Sequence, residues 1–208
     1  MKKRYIISIT FLLLFLIITV LMINNNMKIF DDNIYNYIFK YQNSTLNNIF
    51  KIISKFGNPL IVIILIFILL IFLEKEDIYK LIMTILLTVS TNQLLKHTIR
   101  RIRPNHITLI KEKGFSYPSG HAMISIALYG FLIYLVYTKI KNKIIKTILI
   151  LLLVLLILGI GISRIYLGVH YPSDIIAGYS ISLPIIVLII CSVSDHFRGN
   201  INDKDGSK

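Results

Sequence analysis

Three short polar patterns stand in order along a chain that is otherwise mostly apolar. They are Lys96 with Arg103-Pro104 seven positions on, Pro118-Ser119-Gly120-His121, and Ser163-Arg164 followed by His170 and Asp174. A phosphate ester or diphosphate carries two or more negative charges, and its transition state spreads charge over the equatorial oxygens. Positioned donors must meet that charge. Arginine presents a planar fork to two oxygens at once and lysine a point charge. Lys96, Arg103 and Arg164 are therefore the candidate phosphate ligands. Two histidines and one carboxylate beside them complete what phosphoryl transfer without a metal requires.

His170 precedes Tyr171-Pro172, and Pro172 is placed to open a helix. Asp174 then falls in the first turn, four residues after His170. From there its carboxylate can hold one imidazole N–H, fix the tautomer and stabilise positive charge on the ring. The other ring nitrogen becomes a nucleophile toward phosphorus. His121 can protonate the leaving oxygen and later activate water. Ser119-Gly120 follow Pro118, itself suited to a first helical position, at the start of another apolar run. Free N–H groups at a helix start bind anions, Gly120 lets the backbone come close, and Ser119 adds a hydroxyl donor. Pro104 biases Arg103 away from helical backbone.

Each piece alone has a plainer explanation. Cations at helix ends snorkel toward head groups, and a Pro-Ser-Gly turn is common. The set is different, because eleven specified positions recur in order at fixed spacing. These residues resemble the three-part signature of the type-2 phosphatidic acid phosphatase superfamily. That superfamily includes membrane lipid phosphate phosphatases, undecaprenyl diphosphate phosphatases of the bacitracin-resistance type, phosphatidylglycerophosphate phosphatases and the vanadium-dependent haloperoxidases. The resemblance runs from Lys96 to Asp174 with every signature position filled. It implies His170 as the nucleophile that forms a phosphohistidine, Asp174 as its partner and His121 as the acid that releases the lipid. It implies Lys96, Arg103, Ser119, Gly120 and Arg164 as the phosphate-binding set, no metal or other cofactor, and an active site on the extracytoplasmic face of the cell membrane.

The elements that must position these residues are membrane segments. The 208 residues are 55% hydrophobic with a mean hydropathy of +0.73, too apolar for a soluble domain. A crossing helix needs about 20 apolar residues, and the apolar runs are roughly 5–23, 59–73, 78–95, 122–138, 144–162 and 175–194. The expected fold is all-α: a six-transmembrane helix bundle, 1–194, forming one membrane-embedded lipid phosphatase domain, with a polar C-terminal tail, 195–208. The first run follows Met1-Lys2-Lys3-Arg4 without a small-residue cleavage site and reads as a retained signal anchor. Between the first two crossings, Leu46, Ile49, Phe50 and Ile53 recur at helical spacing behind Ser44, and Ile34, Tyr37, Ile38 and Tyr41 do likewise. They predict two short amphipathic helices at the interface.

The net charge of +13 reads mainly as topology signals and contacts with anionic head groups. With the N-terminus inside, the basic residues divide twelve inside to eleven outside, so the count alone does not orient the chain. The short 139–146 stretch, with four lysines and no acid, favours both termini inside. In either orientation the stretches 24–58, 96–121 and 163–174 share one membrane face. The single cysteine, Cys191, reads as a buried apolar residue. His97, His106 and His196 match no signature position and read as loop or surface residues. Arg100 and Arg101 read as helix anchors or as ligands of a second phosphate. Asn92 and Gln93 are expected to face the bundle interior, and Tyr117, Tyr166 and Tyr171 to sit in an interfacial belt.

The activity expected is hydrolysis of a lipid phosphate in the membrane, with undecaprenyl diphosphate as substrate and phosphatidylglycerophosphate or phosphatidate as alternatives. Partners are the lipid phosphate and surrounding membrane lipids, with no nucleic acid. A lipid phosphotransferase is a different enzyme class open to the same phosphohistidine. A transporter or phosphate-binding scaffold is the non-enzyme reading, against which the intact His121, His170 and Asp174 stand.

Overall fold

The structure is a computed structural model. It describes the backbone of residues 2–105 and 107–205, and side chains over 4–105 and 107–194; His106 and the side chain of His196 lie outside. The described residues form eight helices and no strand: α1 Lys2–Ile23, α2 Lys28–Phe39, α3 Ser44–Lys55, α4 Pro59–Phe72, α5 Lys75–Ile99, α6 Gly120–Lys139, α7 Lys143–Tyr166 and α8 Pro172–Asp205. The protein is a multi-pass helical membrane protein.

Five helices, α1, α5, α6, α7 and α8, are long and apolar enough to cross a bilayer. The apolar run 59–73 behaves differently. Its helix α4 has 14 residues, which at 1.5 Å per residue reaches about 21 Å, short of a hydrocarbon core of about 30 Å. It joins α3 through Gly57-Asn58 with a bend of 48°. Pro59 opens α4 because its missing N–H is unneeded at a helix start, and the Asn58 side chain accepts from Leu60 N at 2.9 Å. The bend thus has a local chemical cause.

The helix α8 lies at the centre, against α1, α5 and α6, while α6 also packs on α7 and α3 rests on α7. Phe131, Leu128, Ile160 and Leu81 are fully buried where α5, α6 and α7 meet. On one side of α1, α4 and α7, large side chains such as Ile6, Leu13, Phe67, Ile71, Leu151 and Leu155 are exposed. In a bilayer those surfaces face lipid. Two of the expected belt tyrosines are buried instead. Tyr117 stacks on Phe15 and pairs its hydroxyl with Thr19 at 2.7 Å, and Tyr166 donates to Asn47 at 2.7 Å. A buried phenol must find a partner, and polar groups on α1 and α3 supply it.

At the bundle end remote from the three polar patterns, buried Lys80 of α5 donates to Glu76 at 2.5 Å and to the Tyr134 hydroxyl of α6 at 2.7 Å. Lys139 reaches Glu74 at 2.9 Å and Asp77 at 2.8 Å. A buried ammonium is tolerable only when paired, so this cluster ties the start of α5 to the end of α6.

Candidate active site

The three polar patterns occupy the ends of α5, α6 and α7 and the start of α8, at one end of the bundle. Helix α5 brings Lys96 to its last turn and ends at Arg100, in left-handed backbone with φ 54°. The chain then loops to Ser119, whose hydroxyl accepts from Ala122 N at 3.4 Å and caps α6. Pro118, following a cis peptide bond, therefore lies just outside the helix rather than at its first position. Helix α7 ends with Arg164 in its last turn. Gly168, at φ 77°, turns the chain toward His170, and a Cβ there would meet the Ile107 carbonyl oxygen at 2.3 Å. Only glycine serves at such a position. Pro172 then opens α8 with Asp174 in the first turn, as expected.

Lys96, Arg103, Gly120, His121 and His170 line one cavity of about 500 Å³. Its inner wall is apolar, with Val62, Ile66, Ile85 and Ile124 from α4, α5 and α6. Both histidines thus open on the same space at the same end of the bundle.

His170 is fully buried apart from that opening, at 2% exposure. Its Nδ1 lies 3.2 Å from Asp174 Oδ2 and its Nε2 3.1 Å from the Arg103 guanidinium. Arginine can only donate, so Nε2 accepts and Nδ1 carries the proton that Asp174 receives. Burial pushes the imidazole pKa down to about 4, against the pull of Asp174, and Arg164 and Arg103 add to the depression. The ring is neutral at pH 7.

Arg103 also donates to the carbonyls of Val169 at 2.8 Å, Gly114 at 3.0 Å and Lys113 at 3.1 Å. Lys96 Nζ donates to the Phe115 carbonyl at 2.7 Å. Arg164 is buried between α3 and the loop, donating to Ser54 Oγ at 2.6 Å and pairing with the Glu112 carboxylate. Its Nε is buried without a partner among the described residues. Ser119 is fully buried with its oxygen accepting in the cap, and neither it nor Arg164 lines the cavity, so both stand behind its wall.

Several neighbours went unseen in the sequence. Glu112 is the sole acid between Lys96 and His121, and that isolation in a basic loop was the available signal. A Cβ on Gly57 would lie 2.8 Å from the His121 ring and 2.9 Å from Ile160, so the α3–α4 bend packs directly on the histidine. Asn92 is buried as expected and donates to the Pro118 carbonyl at 3.1 Å, whereas Gln93 is exposed, though it lines the cavity. Arg100 is exposed and bonds back to the His97 carbonyl at 2.8 Å, and the His97 ring meets Phe115 edge-on. Arg101 instead is an internal ion-pair residue, bound to Asp31 and Asp174.

The model of the PAP2 superfamily matches residues 77–198, which hold all three patterns. The chain belongs to the PAP2 superfamily. It is 30% identical over 193 residues to an undecaprenyl-diphosphatase of Sulfolobus acidocaldarius, covering 86% of each chain. It is 36% identical over 100 residues to phosphatidylglycerophosphatase B of Bacillus subtilis, a match spanning 47% of this chain and 49% of that one. Among solved structures, a transmembrane PAP2-type phosphatidylglycerolphosphate phosphatase from Bacillus subtilis superposes with a TM-score of 0.80 at 26% identity, over 93% of this chain and 96% of that one. LpxE from Aquifex aeolicus shares the fold at a TM-score of 0.64 and 24% identity, over 77% and 94%. PAP2 relatives of this chain are thus named as phosphatases of lipid phosphates.

Proposed function

We propose that this PAP2 protein hydrolyses a lipid diphosphate or phosphate through a phosphohistidine at His170. The observation behind the proposal is the single cavity lined by His170, His121, Lys96, Arg103 and the start of α6. Lys96, Arg103 and the Gly120 end of α6 hold the phosphoryl oxygens. Arg164, with its unpartnered Nε, takes another oxygen from behind, and Ser119 sets the helix start that faces the anion. As Arg103 turns to the phosphate it frees the Nε2 lone pair of His170. Nε2 forms a bond to phosphorus while the bond to the lipid oxygen breaks, and His121 protonates that oxygen. Asp174 holds the Nδ1 proton and balances the charge on the ring. Water, deprotonated by His121, then attacks phosphorus from the vacated side, and inorganic phosphate and neutral His170 result. The cations supply the neutralisation, so the reaction runs without a metal or other cofactor.

The reading includes six crossings, with the bent α3–α4 pair as the second, α2 and the outer part of α3 lying at the interface, and both termini inside. The short lysine-rich stretch between α6 and α7 then faces the cytoplasm and the cavity faces the extracytoplasmic side of the cell membrane. The substrate proposed is undecaprenyl diphosphate, in keeping with the near end-to-end match to the Sulfolobus acidocaldarius protein. Cleavage would leave the monophosphate carrier, an activity that confers bacitracin resistance. Phosphatidylglycerophosphate is the second reading, favoured by the likeness to the Bacillus subtilis structure. Purified protein in detergent offered undecaprenyl diphosphate, phosphatidylglycerophosphate and phosphatidate side by side should release phosphate fastest from the first. Preference for either phospholipid overturns that choice of substrate.

Two further results are expected. The nucleophile must be neutral, and a depressed folded pKa keeps it neutral until the pH falls through about 4. The acid limb of kcat/KM should therefore lie below pH 5. A limb centred near the ordinary histidine value of about 6.5 would contradict the assignment. Gly57→Ala must push aside the His121 ring or Ile160. It should lower kcat by roughly 100-fold, the scale of a 1 Å misplacement, as read by phosphate release from protein that still migrates as a folded species in detergent.

A further inference from the structure

Helix α2 lines none of the catalytic cavity, yet it buries a carboxylate directly behind the His170–Asp174 pair. Asp31 is 1% exposed. Its Oδ1 accepts from Ser173 N at 2.8 Å, and its Oδ2 accepts from the Ser173 hydroxyl at 2.7 Å and from Arg101 at 2.8 Å. The other arm of the same guanidinium donates to Asp174 Oδ1 at 2.6 Å and to the Ser173 hydroxyl at 2.8 Å. Asp174 Oδ2 in turn receives His170 Nδ1 at 3.2 Å and Tyr171 N at 3.0 Å. Both oxygens of Asp174 are therefore assigned, one to the imidazole and one to Arg101. The guanidinium also lies over the Tyr171 ring, 3.9 Å from its centroid.

We propose that Arg101 and Asp31 are positioning residues for the reaction, fixing Asp174 from behind and dividing its charge between Arg101 and His170. The proposal rests on the reading of His170 as nucleophile. A carboxylate held at one oxygen only can rotate, whereas Arg101 pins the second oxygen and so sets the imidazole plane. Arginine suits this because its fork spans two acids at once. Asp31 has an electrostatic task as well. Without it, the full charge of Arg101 would fall on Asp174 and weaken that carboxylate's hold on a positive His170. Burial alone would lower the Arg101 pKa, yet Asp174 and Asp31 outweigh it and raise it, so the cation persists at any working pH.

The charged groups around His170 are Asp174 on α8, Arg103 and Glu112 in the loop, Lys96 on α5, Arg164 on α7 and, when protonated, His121 on α6, with Asp31 on α2 acting through Arg101. Removing Arg101 takes a positive charge from this group. His170 and Asp174 then bind protons more readily, and the acid limb of kcat/KM moves to higher pH. Removing the charge of Asp31 does the reverse, and the limb moves to lower pH. A role confined to holding α2 against α8 would move neither limb.

The test uses Arg101→Gln, Arg101→Lys and Asp31→Asn in the full-length protein in detergent, with labelled lipid phosphate. Single-turnover formation of base-stable phosphoenzyme is followed beside the steady state. Arg101→Gln should slow phosphoenzyme formation by about 100-fold with KM within a few-fold of wild type. Arg101→Lys, which keeps the charge but loses the fork, should restore part of the rate. The isosteric Asp31→Asn should slow it by about tenfold and shift the limb opposite to Arg101→Gln, and it carries the test if Arg101→Gln does not fold. Wild-type phosphoenzyme formation with unmoved limbs in a folded variant overturns the proposal. Absence of phosphoenzyme on His170 in the wild-type protein overturns the parent reading instead, so the two failures are distinct.

Discussion

His170→Ala is expected to remove phosphate release almost entirely while leaving lipid binding within a few-fold of wild type. The charges proposed to capture the phosphate are those of Lys96, Arg103 and Arg164; only Arg103 touches the imidazole, at 3.1 Å, and it keeps three backbone partners when the ring is removed. Lys96 is anchored to the Phe115 carbonyl, Arg103 to the carbonyls of Val169, Gly114 and Lys113, and Arg164 to Ser54 and Glu112. The nucleophile itself has no substitute in the cavity, because His121 is assigned to the leaving-group side. A nucleophile acting within a coupled set typically contributes on the order of a million-fold to kcat. Steady-state phosphate release and equilibrium binding of a lipid phosphate, measured on the same purified variant, separate the two effects. Turnover near the wild-type rate would remove His170 from the mechanism.

Arg164→Lys should be the next most damaging change, lowering kcat by about 100- to 1000-fold, the usual scale for losing one transition-state donor. The substitution keeps a positive charge, so a role in long-range attraction would survive it. The fork would not. Arg164 uses one arm on Ser54 of α3 and another on Glu112, and its Nε has no partner among the described residues. A lysine ammonium can meet only part of this set from one point. Because Arg164 is buried whereas Glu112 reaches solvent, a lysine ammonium that misses part of this set leaves an under-partnered buried charge and should also destabilise the fold, so kinetics should be normalised to folded protein from a thermal melt. A variant with wild-type kcat and a wild-type melt would show that the guanidinium geometry is dispensable.

What the sequence revealed and what it hid divide along the length of the interactions involved. The His170–Asp174 pair lies four residues apart at a helix start marked by Pro172, so its geometry follows from local backbone rules. The helix start near Ser119-Gly120 is local too, although the cap is Ser119 and Pro118 lies outside the helix. The helix periodicity near 44–55 and the apolar runs of α1 and α5 to α8 were similarly readable. The Asp31–Arg101 contact joins residues 70 positions apart, and nothing in either neighbourhood marks the other. Its only signal was a charged pair, Asp31-Asp32, inside a stretch otherwise suited to an interface. Tyr117 and Tyr166 looked like belt residues because an amphipathic ring fits either place. Their burial depends on Thr19 and Asn47 arriving from other helices. Ser119 was read as a phosphate donor, and its oxygen also accepts from Ala122 N, a capping role that leaves the O–H free to donate. The second apolar run, at 59–73, met Gly57-Asn58-Pro59 at its edge, and that breaker turned a marginal crossing into a bent pair.

The stereochemical course at phosphorus separates attack by His170 from direct attack by water. A lipid thiophosphate made chiral with oxygen isotopes, hydrolysed in isotopically labelled water, yields inorganic thiophosphate whose configuration can be read. Attack by His170 followed by attack of water gives two in-line displacements, so net retention is the predicted result. Net inversion would mean that water attacks phosphorus directly, and the assignment of His170 as nucleophile would fall.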